Sequence, residues 1–284
     1  MEERPIKFWD RYRNWNEAEA SWDANSDFLK HSYELRTFKK LPKNLPGIRK
    51  STKKNLRWKA LKYLMVHDDK KVFPKYFLKK PFTYTISMIV SYLKKKPYTR
   101  DDDFFLYGVK ELSEFEQLLQ ERDSILAIGF SYCHKPFECP SGRFTEQCIH
   151  NDKSPICGQC FIGKCMHAMP EEKTVPIVIP TVHDIGEKMF ELSDQNPGKE
   201  ILFIITACEL TLEMFADWGN MIKIRGVCVR LDGQICNTMR AFEASEEGIK
   251  PGMTVVLDKT ETRILELISI RRSFEQNTSL AENE

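Results

Sequence analysis

The placement of the cysteines constrains this chain more than any other feature. Six of the nine fall between Cys133 and Cys165, in a segment without a clear helical or strand period. Their spacing is C-x5-C-x8-C-x8-C-x2-C-x4-C, with Pro136, Pro140, Gly142, Pro155, Gly158 and Gly163 interleaved. A segment this long without secondary structure of its own needs another source of order. Metal–thiolate bonds supply one. In the C-x2-C pair at Cys157 and Cys160, two sulfurs from one tight turn reach the same ion or cluster, and Gly158 lets the backbone come close. The odd cysteine count argues against a disulfide framework. The opening MEERPIKFWDRYRNW has neither the apolar core nor the small-residue cleavage site of a secretory signal. The expectation is a cytoplasmic chain with reduced thiols.

The 284 residues, 42% of them hydrophobic, suffice for one large domain or two ordinary ones. From Ser124 onward, short apolar runs alternate with amphipathic segments, the pattern of a parallel sheet with crossover helices. Strands are expected at 125–130, 175–180, 201–206, 222–231 and 253–258, and helices at 182–193, 210–218, 237–245 and 261–272. The expected fold is α/β: a Rossmann-like parallel sheet with a cysteine-rich metal-binding insertion at 131–173, preceded by a basic, mainly helical region. In such a sheet the functional crevice lies beyond the carboxyl ends of the strands. Cys133 follows the first expected strand, Cys208 the third and Cys236 the fourth, so three segments deliver a thiol to one edge. Cys228 falls inside a strand and reads as a small buried hydrophobe.

The motifs ACEL at 207–210 and GVCVRLDGQICNT at 226–238, following ICGQCFIG at 156–163, resemble a prokaryotic domain-of-unknown-function family. Its members are cysteine-rich and thought to bind iron-sulfur clusters. The resemblance covers roughly residues 125–244, about the second half of the chain. It implies a cluster role for Cys133, Cys139, Cys157, Cys160, Cys208 and Cys236. The interval from Cys148 to Cys157 is longer than the family's compact cysteine run, and Cys165 stands outside it, so the assignment of each thiol to a site stays open.

Eight thiols are candidate metal ligands: Cys133, Cys139, Cys148, Cys157, Cys160, Cys165, Cys208 and Cys236. Zinc needs only four, most simply Cys148, Cys157, Cys160 and Cys165. A [4Fe-4S] cluster takes up to four, so eight supply two clusters, or one cluster and a zinc ion. One division places Cys157, Cys160 and Cys165 with Cys139 or Cys148 at one site, and Cys133, Cys208 and Cys236 at another whose fourth iron is open to substrate. The C-x3-C-x2-C run of common radical SAM enzymes, the bacterial ferredoxin run, a Walker A loop, a G-x-G-x-x-G after a strand and H-E-x-x-H are all missing. Glu209, next to Cys208 at an expected helix start, is a candidate acid or base, although a carboxylate there also complements the helix dipole. His134, His150 and His167 are candidate metal or cluster partners, and Arg143 and Arg240 candidate anion binders. The expected function is a [4Fe-4S] cluster-binding protein with redox or cluster-dependent catalysis on an unknown substrate or with a redox partner. The alternatives are a zinc-stabilised RNA-binding or protein-interaction module and a pure electron-transfer protein.

Charge divides the chain. Residues 1–100 hold 25 Lys and Arg against 10 Asp and Glu, and the rest holds 18 against 31. The organisational boundary falls between Tyr98 and Ser124, giving a basic, mainly helical region at 1–123 and the cysteine-rich domain at 124–284. Helices are expected at 50–67, 83–96 and 109–122, and no regular strands in the first hundred residues. From Lys30 to Arg100 there are 21 basic residues and three acidic ones, with Trp58, Tyr63, Phe73, Tyr76, Phe77 and Tyr84 among them. That composition suits a nucleic acid, an anionic membrane surface, an acidic protein, or the acidic half of this same chain. The longest weakly polar stretch, around 82–93, is about half the roughly 20 residues that span a bilayer.

Overall fold

The computed structural model describes residues 7–35, 47–94 and 96–281. Helix α1 (Trp15–Ser32) starts where the Asn14 side chain accepts from the Glu17 N–H. Helices α2 (Lys50–Lys53) and α3 (Leu56–Val66) replace one expected helix, because Asn55 takes a left-handed conformation (φ 56°) between them. The Asp68 carboxylate accepts from the N–H groups of Val72 and Phe73 and opens α4 (Val72–Phe77). Pro81 stands at the first turn of α5 (Pro81–Leu93), where its missing N–H costs no bond.

The sheet begins earlier than expected, with β1 (Thr99–Asp101) and β2 (Phe104–Tyr107). All four residues of β2 are buried, so it shows no alternation and its four-residue run carries no period. After α6 (Leu112–Leu118) come β3 (Ser124–Ser131), the cysteine-rich loop with α7 (Phe161–Ala168), and β4 (Thr174–Ile179). Then follow α8 (Val182–Gln195), β5 (Glu200–Cys208), α9 (Glu209–Ile222), β6 (Arg225–Gly233) and α10 (Met239–Glu246). The chain closes with β7 (Thr254–Val255) and α11 (Asp258–Ala281). Strand β6 starts later than expected because α9 runs on to Ile222 and Lys223 ends it in the left-handed region, at φ 62°. The fifth expected strand shrinks to β7, which pairs antiparallel with β6 in the short interval between Gly252 and the start of α11.

This is an α/β protein with a mixed, mostly parallel sheet. The order is β1-β2-β6-β5-β3-β4, with β7 also on β6. Strands β4, β3, β5 and β6 are parallel, β2 is antiparallel to β6, and β1 to β2. Burial on both faces gives the parallel strands their near-continuous apolar runs. On one face Leu126, Ile128, Ile204 and Val227 meet Trp22 of α1, Phe115 of α6, Ile162 of α7 and Ile264 of α11. On the other, Ala127, Phe203 and Cys228 meet Met189 of α8 and Leu212 of α9.

The basic helices pack onto this α/β framework through small apolar clusters. Tyr63 and Leu64 join Leu210 and Phe242, and Val72 and Tyr76 join Phe190. Ion pairs surround those clusters: Lys53 with Glu213, Arg57 with Asp217, Lys70 with Asp184, Lys75 with Glu187, Lys79 with Asp194 and Arg100 with Glu209. Much of the basic region is thus set against acidic residues of α8 and α9; Arg36, Lys39, Lys40, Lys43 and Lys95 lie outside the described residues. Among the described residues no helix is long and apolar enough to cross a membrane.

Candidate functional site

Strands β3, β5 and β6 run in parallel and end at the same edge of the sheet. Beyond β3, the Ser131 hydroxyl accepts from the Cys133 N–H and the chain enters a single 3-10 turn, Tyr132–His134. Cys208 is the last residue of β5, and α9 begins at once. Cys236 lies three residues past Gly233, whose φ of +85° turns the chain at the end of β6. All three thiols are buried and line one wall of the crevice, where they are electrostatically linked: Cys208 to Cys236 and to Cys133, and Cys133 to Cys236.

A cation joins them. Lys250 Nζ lies 2.9 Å from Cys236 Sγ, and Ser245 Oγ lies 3.4 Å from the same sulfur. The hydrogen bond from Cys208 and the Lys250 ammonium together pull the Cys236 thiol down against the effect of its burial. Sharing its proton with Cys236 and being buried push Cys208 up, and burial pushes Cys133 up. Burial works to lower the Lys250 ammonium, but the three cysteines outweigh it. The crevice therefore favours one thiolate–ammonium pair flanked by two neutral thiols.

A cavity of about 190 Å³ opens beside these thiols, with Cys133, Cys208 and Cys236 in one wall and mainly apolar side chains such as Ile179, Met189, Phe203 and Leu212 in the others. Glu246 of α10 also lines it. Its carboxyl accepts from the Val182 N–H at 2.8 Å and from Tyr63 Oη at 3.4 Å, and burial pushes it up to about 8. A cavity of this kind accepts a small, largely apolar molecule next to a thiol centre and a protonated carboxyl.

The loop builds a second thiol group. Cys139, Cys148, Cys157 and Cys160, with Lys135 and Gly163, line a cavity of about 20 Å³. The His150 backbone bonds Cys148, the Ser154 side chain and Asn151 backbone bond Cys157, and the backbones of Gly163 and Ile162 bond Cys160. A Cβ on Gly163 would stand 2.8 Å from the Cys157 carbonyl oxygen, so only glycine lets the turn close this tightly. Burial raises Cys148 and Cys157 and takes Cys160 up to about 12. Lys135 is 1% exposed, and its ammonium donates to the carbonyls of Gly142, Thr145 and Gln147 and to Thr145 Oγ1 at 2.6–3.2 Å. It places a buried positive charge beside Cys139, Cys148 and Cys160. Among the described residues, no three His, Cys, Asp or Glu side chains already stand grouped so as to hold a metal ion.

The remaining candidates fall elsewhere. Cys165 of α7 is wholly buried in the main core, outside the lining of the loop cavity. Cys228 faces the opposite core beside Tyr107. Glu209 is buried at the start of α9, where Arg100 at 3.1 Å and Lys53 at 3.8 Å pair with it. His134 stacks on Phe161, and burial lowers it to about 4. His167 Nε2 lies 2.6 Å from the His150 carbonyl oxygen, and its Nδ1 accepts from the Phe8 N–H, so these two histidines tie the N-terminal segment to the loop. Arg143 donates to the carbonyls of Cys133, Lys135, Lys250 and Gly252 and fastens the loop to the crevice. Arg240 lines a broader groove of about 510 Å³ beside α10.

Sequence reasoning missed Lys250 and Glu246. Nothing in the GIKPG turn marks Lys250 among the lysines of the chain, and Glu246 sits in the polar run EASEEG. Their importance comes from the return of the chain past α10 to the ends of β5 and β6.

Fold and crevice together define an α/β protein with a thiol-lined crevice at the carboxyl ends of its parallel strands. Comparison with protein-family models, with curated proteins and with solved structures finds no match to this chain.

Proposed function

We propose that this is a cytoplasmic metallothiol protein whose working centre is an iron-sulfur cluster on Cys133, Cys208 and Cys236, used for redox or cluster-dependent chemistry on a small apolar substrate. The observation that carries this reading is the convergence of three thiols from three strand ends on one cavity of about 190 Å³, with Lys250 at 2.9 Å from Cys236. Three thiols leave one iron of a [4Fe-4S] cluster free for substrate, and Lys250 and Arg143 offset the charge of such a centre. The sheet is then Rossmann-like: β4 and β5 lie on opposite sides of β3, so the chain reverses direction across the sheet at β3 and β5, where such folds place their ligands. The loop at 131–173 is its metal-binding insertion. A cavity of about 20 Å³ has room for one ion rather than a cluster, so Cys139, Cys148, Cys157 and Cys160 hold a single zinc-like ion after small side-chain rotations.

The electrostatic coupling of Cys208 with Cys236, side by side in the wall of one cavity, favours one other reading. In it the pair works without metal as a dithiol, giving two electrons and two protons to an acceptor and becoming a disulfide. Anaerobic purification with iron, zinc and acid-labile sulfide counted per chain separates the two. The proposal expects about four iron and four sulfide and about one zinc. Cys208→Ser removes the iron and leaves the zinc, and Cys157→Ser does the reverse. A colourless, iron-free wild-type chain that forms a Cys208–Cys236 disulfide on oxidation would replace the cluster with the dithiol.

A further inference from the structure

Helix α5 has no charged residue anywhere between Pro81 and Leu93, yet it lies on the surface. Its inner face, Tyr84 and Ser91, is buried. There Ser91 Oγ donates to Asp217 and accepts from Asn220 Nδ2, both on α9. Its outer face carries Phe82, Ile86, Ile89, Val90 and Leu93, exposed by 84, 62, 55, 50 and 82%. The spacing i, i+4, i+7, i+8, i+11 puts all five on one stripe. Leu78, 72% exposed, precedes it. A surface helix ordinarily turns its apolar stripe inward, and an exposed apolar surface of this extent marks a place of interaction.

The charge around the stripe says what covers it. No Asp or Glu occurs in the sequence from Lys70 to Arg100. Lys79 and Lys80 stand just before the helix and Lys94 and Lys96 just after it. Lys79 and Lys80 share the single carboxylate of Asp194. Lys94 and Lys96, both exposed, have no acidic partner among the described residues. An apolar stripe with lysines at both ends matches an acyl layer below a plane of anionic headgroups. Aromatic and arginine anchors, which dominate protein–protein contacts, are scarce on it. The 13 residues of α5 are too few to cross a bilayer, so the helix lies in the plane of the surface.

We propose that α5 is a peripheral membrane anchor, docking its outer face and flanking lysines on an anionic phospholipid surface. The test is sedimentation of the full chain with phosphatidylcholine vesicles and with vesicles enriched in phosphatidylglycerol. The expected result is binding to the anionic vesicles, weaker binding to the neutral ones, and loss with added salt. Ile86→Asp with Ile89→Asp lowers the bound fraction by at least about tenfold, while thermal unfolding stays unchanged because both side chains are exposed. Lys94→Glu with Lys96→Glu lowers it several-fold. Wild-type protein that stays in the supernatant with anionic vesicles overturns the proposal, as does unchanged binding of the double Asp variant. So does a wild-type dimer by light scattering that this variant makes monomeric, with no vesicle binding, for then a second copy covers the face.

Discussion

Burial alone leaves a thiol or a carboxyl protonated, and the difference between the nine cysteines lies in what else each one meets. Burial pushes up both Cys165, where the Glu261 carboxylate adds to it, and Cys228, beside the Tyr107 hydroxyl, and both are inert thiols. Cys236, buried as well, meets an ammonium and a thiol donor and is drawn down. The same reasoning makes a stability prediction at Glu261 of α11. Burial, with Asp258 adding to it, raises this carboxyl from its ordinary 4.5 to about 7. Between those two values the folded chain keeps a proton that the unfolded chain has released. Stability therefore falls as pH rises through that window and levels off above it. Glu261→Gln fixes the neutral form, so it should match wild type in urea at about pH 4 and exceed it by on the order of 1–2 kcal/mol at about pH 8. Equal midpoints at both pH values would mean that the ionised carboxylate finds compensation in the fold.

At the scale of elements, the junction of α3, α5 and α9 turns on one carboxylate. Asp217 of α9 is 2% exposed and is held by Arg57 Nε at 3.0 Å and by Ser91 Oγ. Asp217→Ala leaves the guanidinium half-buried without its partner and should cost about 3 kcal/mol in a denaturant titration. Asp217→Asn keeps a bond to Ser91 and should cost less; equal losses would place the effect in packing rather than charge. Elements of this kind differ in how far sequence exposes them. The four parallel strands are legible because burial on both faces gives each a long apolar run, and their ends place Cys133, Cys208 and Cys236 at one edge. Strand β2 is too short to show a period, and it joins the sheet only by lying against β6, far along the chain. Glu209 reads as a neighbour of the thiols because it follows Cys208. At a strand–helix junction adjacent side chains diverge, and Glu209 meets Arg100 and Lys53 instead. Lys250 reaches Cys236 only because the turn after α10 returns to the crevice, which no local pattern announces.

Across the whole molecule the basic and acidic parts of the chain face each other, so much of the charge that suggests a nucleic-acid partner is met within the fold. Partly exposed pairs each contribute about 0–1 kcal/mol, so the helices are held chiefly by the apolar clusters beneath them. The cysteine-rich loop is the opposite case. It joins β3 to β4 with little regular structure, and its apolar contacts are concentrated at α7. Lys135 and Arg143 fasten its first part by bonds to backbone carbonyls. The stretch around Cys148 and Cys157 is held by its thiols, by the bond of the His150 carbonyl to His167 and by the Arg11–Asp152 ion pair, and Lys153 within it is exposed. If those thiols close on an ion, its removal frees this stretch while the register of β3 with β4 persists. Chelation, or Cys157→Ser, should then lower the thermal midpoint by roughly 5–10 °C. It should also make Lys153 a fast tryptic site while the circular dichroism of the sheet is retained. Unchanged cleavage at Lys153 in the metal-free chain would mean that Lys135, Arg143 and α7 order the loop without an ion.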